Sequence, residues 1–146
     1  MRKDEKRRRK IRYYGFSLIE MTVVMAIIGF LAAIGAGVAY NRLEKAKQET
    51  ARSRIQLFEQ AIISFQIDTG RLPKSLDELI KNPGDKKWTG PYLDRCEEIP
   101  KDPWQGEYIY IVPGTHGDFD IISYGKDKLQ GGDGFKMDIG NWIEKE

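Results

Sequence analysis

The sequence predicts an α+β fold in which a long N-terminal α-helix packs its outer half on a small antiparallel β-sheet. Three observations carry this expectation. An uncharged apolar run extends from Met21 to Ala39. Beyond it, Ala51, Ile55, Phe58, Ile62 and Phe65 recur at steps of 4, 3, 4 and 3, which is one apolar face of an amphipathic helix. Two runs rich in β-branched and aromatic residues then follow, residues 106–112 and 118–123.

The first element is a basic leader. Eight basic and two acidic residues precede Gly15, a net charge of +6, while the remaining 16 basic and 20 acidic residues give the rest of the chain −4. A basic arm can bind nucleic acid, but this one runs straight into an apolar segment. Orientation in a membrane is the better reading, and no nucleic-acid partner is expected. Apolar character runs from Phe16 to Tyr40, interrupted only by Glu20. As a helix this segment spans roughly 37 Å, against about 30 Å for a hydrocarbon core. A secretory signal peptide would have a shorter apolar region and small residues at a cleavage point on its far side. Here the far side, Tyr40-Asn41-Arg42-Leu43-Glu44, continues the helical pattern, so the segment reads as a retained anchor. The positive-inside rule keeps the leader in the cytoplasm and sends Asn41 onward outside.

Glu20 conflicts with its surroundings, since a charged side chain within a membrane costs on the order of 2.5–3.5 kcal/mol. Either it has a partner, or it lies high enough to reach the headgroups, or it is protonated. The helix is expected to continue to Thr69, where Gly70 fits a C-cap and Pro73 prevents continuation. Gly35 and Gly37 are its weak points. Ser75 and Glu78 read as a capping box opening a short helix. Residues 83–103 are dense in turn formers. Pro113-Gly114-Thr115-His116-Gly117 joins the two strands into a hairpin with a five-residue loop.

Candidate chemistry is sparse. Asp127, Asp133 and Asp138 stand among Gly125, Gly131, Gly132 and Gly134. Carboxylates on a tightly turning backbone suit Ca²⁺, which takes six to eight oxygens, although the spacing is not that of an EF-hand. A polar surface loop in which Asp and Gly serve turns explains the same pattern. Asp68-Thr69-Gly70 matches an aspartic-protease tripeptide but closes a helical stripe, so it reads as helix termination. His116, the single histidine, lies in the expected turn without a nucleophile motif. Cys96, the single cysteine, allows no intramolecular disulfide. No phosphate-binding loop or dinucleotide fingerprint is found. Trp88, Tyr92, Trp104, Tyr108 and Tyr110 read as core and turn packing.

Gly15-Phe16-Ser17-Leu18-Ile19-Glu20 behind a basic leader resembles the class III signal of type IV pilins and pseudopilins. Further stretches are similar to the major pseudopilin family, the G subunits of type II secretion systems. They are Phe65–Pro73 (FQIDTGRLP), Trp88–Leu93 (WTGPYL), Ile99–Trp104 (IPKDPW), His116–Ile121 (HGDFDI) and Asp138–Trp142 (DIGNW). Residues 30–40 and Gln105-Gly106-Glu107 are looser matches. Pilins commonly carry proline where this chain has Gly37, and that departure leaves open whether the helix kinks or melts there in a fibre.

The resemblance implies a type IV pilin-like fold with a C-terminal calcium loop. It also implies a leader at residues 1–15, a transmembrane and assembly helix at 16–40 and a periplasmic domain at 41–146. A prepilin peptidase and N-methyltransferase would cleave between Gly15 and Phe16 and methylate the new N-terminus. Glu20 would meet the Phe16 amine of a neighbouring subunit. One calcium ion would be bound by the side chains of Asp127 and Asp138 and the backbone oxygens of Tyr124 and Leu129. Asp133 lies in the part of that loop that varies within the family. The implied protein is a non-enzymatic subunit, single-pass in the bacterial inner membrane. It polymerises with itself and works with minor pseudopilins and an inner-membrane assembly platform. Three rivals remain: a type IV pilin for adhesion or DNA uptake, a single-pass anchored enzyme, and an anchored calcium-dependent module that stays monomeric.

Overall fold

The computed structural model describes residues 15–94 and 96–142. The leader through Tyr14 therefore lies outside the described residues. Helix α1 spans Leu18–Thr69, a 3₁₀ turn spans Leu76–Leu79, strands β1 and β2 span Ile109–Ile111 and Asp120–Ser123, a second 3₁₀ turn spans Gly134–Lys136, and β3 spans Ile139–Gly140. The chain divides between Ala39 and Tyr40 into two compact units.

In the first unit residues 18–39 form one helical segment, passing through Gly35 and Gly37 without interruption. Its side chains are exposed throughout, including Phe16, Ile19, Met25, Phe30 and Ile34. The helix is long and apolar enough to cross a membrane. Exposed apolar surface of this extent marks a membrane or protein interaction site.

The second unit is built on the outer part of α1. Ala51, Ile55, Phe58, Ile62 and Phe65 are all 0–1% exposed, and Ala61 joins them at 4%. The expected stripe is thus the core face. Against it pack Leu76, Leu79, Trp104, Tyr108, Phe119, Ile121 and Ile139, with Trp88, Tyr92 and Tyr110 at the edge. The aromatics serve packing: Phe58 meets Tyr108 edge-on at 5.0 Å and Phe65 meets Tyr92 at 5.6 Å. Gly70 ends α1 at φ +79°, and its N–H bonds the Gln66 carbonyl at 2.8 Å, as a C-cap requires.

The sheet is antiparallel in the order β1-β2-β3, with Tyr110 opposite Ile121 and Ser123 opposite Ile139. It differs from expectation in three ways. Residues 106–108 do not pair as strand, because Gly106 is taken by a turn in which its carbonyl accepts from Asp102 N–H at 2.9 Å. Pairing ends at Ile111 opposite Asp120, so the hairpin loop runs over residues 112–119 and is eight residues long, not five. Gly114 N–H closes a turn on the Asp118 carbonyl at 3.1 Å, which takes Asp118 out of the strand. Strand β3 was not expected at all; two residues are too few to show a period of two.

The Ser75–Glu78 capping box is also corrected. Ser75 occupies the N-cap of the 3₁₀ turn but makes no side-chain cap bond. Glu78 is instead drawn to Arg71, whose Nη1 lies 2.8 Å from its carboxylate.

Candidate functional sites

The N-terminal site begins at an exposed, non-helical Gly15 and Phe16. Ser17 then N-caps α1, and here a capping box does form. Ser17 N–H donates to Glu20 Oε2 at 2.8 Å, and Glu20 N–H donates to Ser17 Oγ at 3.2 Å. Two backbone N–H groups at the helix start, which have no intrahelical acceptor, are thereby satisfied. Within one chain the partner of Glu20 is therefore Ser17. The carboxylate also sits in the first helical turn, where the macrodipole favours negative charge.

The C-terminal loop, residues 124–138, turns through left-handed backbone at several positions. Gly132 illustrates why glycine is needed: its φ is +99°, and a Cβ there would stand 2.7 Å from the Lys136 carbonyl oxygen. Asp127 Oδ1 accepts from Leu129 N–H at 3.3 Å. Asp138 Oδ2 accepts from Gly131 N–H at 2.9 Å, while its Oδ1 is buried with no hydrogen-bond partner among the described residues. Asp133 is exposed at the N-cap of the second 3₁₀ turn and makes no side-chain cap bond. Among the described residues no three or more His, Cys, Asp or Glu side chains group closely enough to hold a metal. The three aspartates thus do not converge as a trio, and a cation here would depend on main-chain oxygens for much of its coordination.

The remaining candidates are structural. Asp68 accepts from the Thr89 hydroxyl and from Tyr92 Oη at 2.9 Å. The Thr89 bond first, and Tyr92 second, hold its carboxyl below the ordinary range. FQIDTGRLP and WTGPYL are therefore two faces of one contact, reinforced where Trp88 Nε1 donates to the Glu78 carbonyl at 2.9 Å. Asp102 is 2% exposed and accepts from Trp104 N–H at 3.0 Å, Gly106 N–H at 2.6 Å and Ser123 Oγ at 2.6 Å. His116 Nδ1 lies 3.0 Å from Asp120 Oδ2, and its ring stacks on Trp142 at 3.8 Å. Burial alone would push the Asp120 carboxyl up. The Thr115 N–H and the His116 ring and N–H together outweigh burial and lower it. HGDFDI and DIGNW meet through this stack and through Asn141, whose side chain accepts from Ile121 N–H at 3.0 Å. Cys96 is a half-buried free thiol.

Glu44 was missed. It is 3% exposed, accepts from the Trp104 indole N–H at 2.9 Å, and lies 3.5 Å from Lys47 Nζ and 3.9 Å from Lys126 Nζ. A signal for it exists in the sequence: Glu44 lies seven residues before Ala51, on the apolar stripe itself.

Residues 39–142 match the family model described as type II secretion system (T2SS), protein G, and residues 11–36 match the prokaryotic N-terminal methylation motif. The chain is 38% identical over 126 residues to the type II secretion system core protein G of Xanthomonas campestris pv. campestris, covering 86% of this chain and 87% of that one. It is 38% identical over 136 residues to the core protein G of Pseudomonas aeruginosa, covering 88% and 94%. Its fold is similar to the crystal structure of the major pseudopilin from the type 2 secretion system of enterohaemorrhagic Escherichia coli, with a TM-score of 0.57 and 28% identity over 69% of this chain and 87% of that chain.

Proposed function

Because the chain belongs to the protein G family of type II secretion systems, the major pseudopilins, we propose that it is made as an inner-membrane precursor, trimmed after Gly15 and built into a periplasmic pseudopilus. The family is one of structural subunits in protein secretion, and this reading prevails over that of a type IV pilin for adhesion or DNA uptake. The observation that carries it is the protein G match across the outer domain, joined to a methylation motif that spans Gly15 and Phe16.

The basic leader stays in the cytoplasm, so a prepilin peptidase reaches the Gly15–Phe16 bond from that side. Both residues are exposed and precede the helix, as a scissile bond requires. Methylated Phe16 becomes the N-terminus of a subunit that keeps its anchor. During assembly Glu20, already oriented by Ser17, exchanges or shares that partner with the Phe16 amine of a neighbour. Two groups that are costly in lipid then neutralise one another, which favours the stacked helices of a homopolymer over the lone subunit. Minor pseudopilins and an inner-membrane assembly platform complete the machine.

Calcium belongs to this reading. The Asp127 and Asp138 carboxylates, with backbone oxygens of Tyr124 and Leu129, would hold it. The unpartnered, buried Oδ1 of Asp138 supports such a cation site, because a buried acceptor without a partner is costly. When bound, the ion supplies a cross-link between the two ends of the loop, the service a disulfide provides elsewhere.

The processing test is the intact mass of the protein from membranes of cells carrying a matching prepilin peptidase. A mass beginning at Phe16 plus one methyl group is expected. A mass retaining the first fifteen residues would remove the fibre reading. For calcium, EDTA is expected to lower the melting temperature of the outer domain, and an unchanged melt would count against the ion.

A further inference from the structure

Polar residues in phase with the buried stripe of α1 form a seat for the C-terminal loop, with Glu44 buried, Gln48 half-buried and Tyr40 exposed. Tyr40, Glu44 and Gln48 follow at steps of four, so they lie along one helix face. Glu44 meets Lys126 at 3.9 Å, and Lys126 also bonds the Tyr40 hydroxyl and stands 4.6 Å from the centre of its ring. One turn on, Gln48 Nε2 donates to the Gly134 carbonyl at 2.8 Å. A third tie comes from Lys128, whose Nζ donates to the Gln105 carbonyl at 3.2 Å, next to the Trp104 that binds Glu44. Lys126 adjoins Asp127, and Gly134 lies between Asp133 and Asp138. The helix therefore grips the loop at two points, one adjoining Asp127 and one between Asp133 and Asp138, using side chains that are not themselves expected ligands.

We propose that Glu44, Gln48 and Lys126 are positioning residues for calcium, holding the loop on α1 in a near-bound shape before the ion arrives. The proposal rests on the calcium reading above. Its physical basis is preorganisation. A glycine-rich loop left free must lose backbone freedom when it wraps an ion, and that loss subtracts from affinity. A loop already tied to a helix has lost most of it on folding. Glu44 makes the tie directional: a buried carboxylate needs compensation, and Trp104, Lys47 and Lys126 supply it from three sides.

The test uses the full chain in detergent micelles and calcium chloride alone as the probe. Calcium affinity is measured by titration calorimetry, and hydrogen exchange of residues 126–138 is followed in EDTA. Lys126→Met and Gln48→Ala are expected to weaken calcium binding by about ten- to a hundredfold, the usual effect of removing groups that orient metal ligands. Both should also speed exchange in residues 126–138, and Gln48→Ala should leave the metal-free melting temperature close to wild type. Lys126→Arg should restore most of the affinity, because it keeps the charge. Wild-type calcium binding with unaltered affinity and exchange in both variants would overturn this proposal alone. A wild-type chain that takes up no calcium would overturn the earlier calcium reading, and this one with it. Gln48→Ala keeps the test open if Lys126→Met fails to fold, since Gln48 is only half-buried and makes a single tie.

Discussion

At the scale of single residues, buried polar groups separate into those with partners and those without. Tyr108 is 7% exposed, and its hydroxyl has no hydrogen-bond partner among the described residues. Burial first pushes its pKa up to about 12, with Arg54 opposing and Asp102 adding. Tyr110 is raised to about 12 by burial and then Glu78. The stability these neutral phenols contribute is complete below pH 10 and lost as pH rises from about 10 towards about 12. Removing an unsatisfied hydroxyl relieves a penalty, so Tyr108→Phe should raise stability by about 1 kcal/mol or leave it unchanged in urea titration. A clear loss would reveal a partner for the hydroxyl. The carboxylates behave oppositely. Asp68 and Asp120 are held below 3.8 in the folded state, so their contribution is present above that pH and is lost as pH falls through their folded values. Asp120→Asn should cost about 2 kcal/mol, the order expected for hydrogen bonds to a charged acceptor, and should flatten the acid limb of a melting-temperature profile. A mutant whose acid limb matches wild type would assign that limb elsewhere.

At the scale of elements, α1 carries two faces with different fates. Phe58 is 0% exposed against Tyr108, whereas Leu57 beside it is 55% exposed. Phe58→Ala should cost about 3–5 kcal/mol, and Leu57→Ala about 0.5 kcal/mol or less. Similar losses from both, measured by urea unfolding of the full chain in micelles, would contradict the assignment of the core face. The stripe was legible because 3.6-residue periodicity sustained over four turns cannot be a strand. The same pattern hid Glu44 and Gln48, since a search for apolar residues passes over polar ones in phase with them. The two Ser-x-x-Glu patterns make the point at the helix ends. Ser17 and Glu20 cap each other, but Ser75 and Glu78 do not, because Arg71 lies 2.8 Å from Glu78 and competes for it. Spacing alone cannot report that competitor.

At the scale of the whole molecule, the proposed assembly role and the packed core draw on different residues. Glu20 lies in the exposed first unit, so Glu20→Ala should abolish cross-linked multimers in membranes while leaving the thermal melt of the outer domain unchanged. Loss of both would mean that Glu20 matters for folding. The sequence by itself determined the long apolar helix, the N-terminal methylation motif, the core face of α1 and the family. These are written in local quantities: charge, hydropathy, periodicity and short ordered stretches. Only the tertiary structure decided what those stretches do for one another. It placed WTGPYL on Asp68, IPKDPW on Glu44 through Trp104, and DIGNW on His116 through Trp142. It also found β3, ended β1 at Ile111 and seated the C-terminal loop on Tyr40, Glu44 and Gln48. Contacts between residues 60 or 86 positions apart, such as Glu44 with Trp104 and Gln48 with Gly134, leave no period in a single chain. They arise because buried charges and glycine-rich backbone must find partners wherever the packed core brings one within reach.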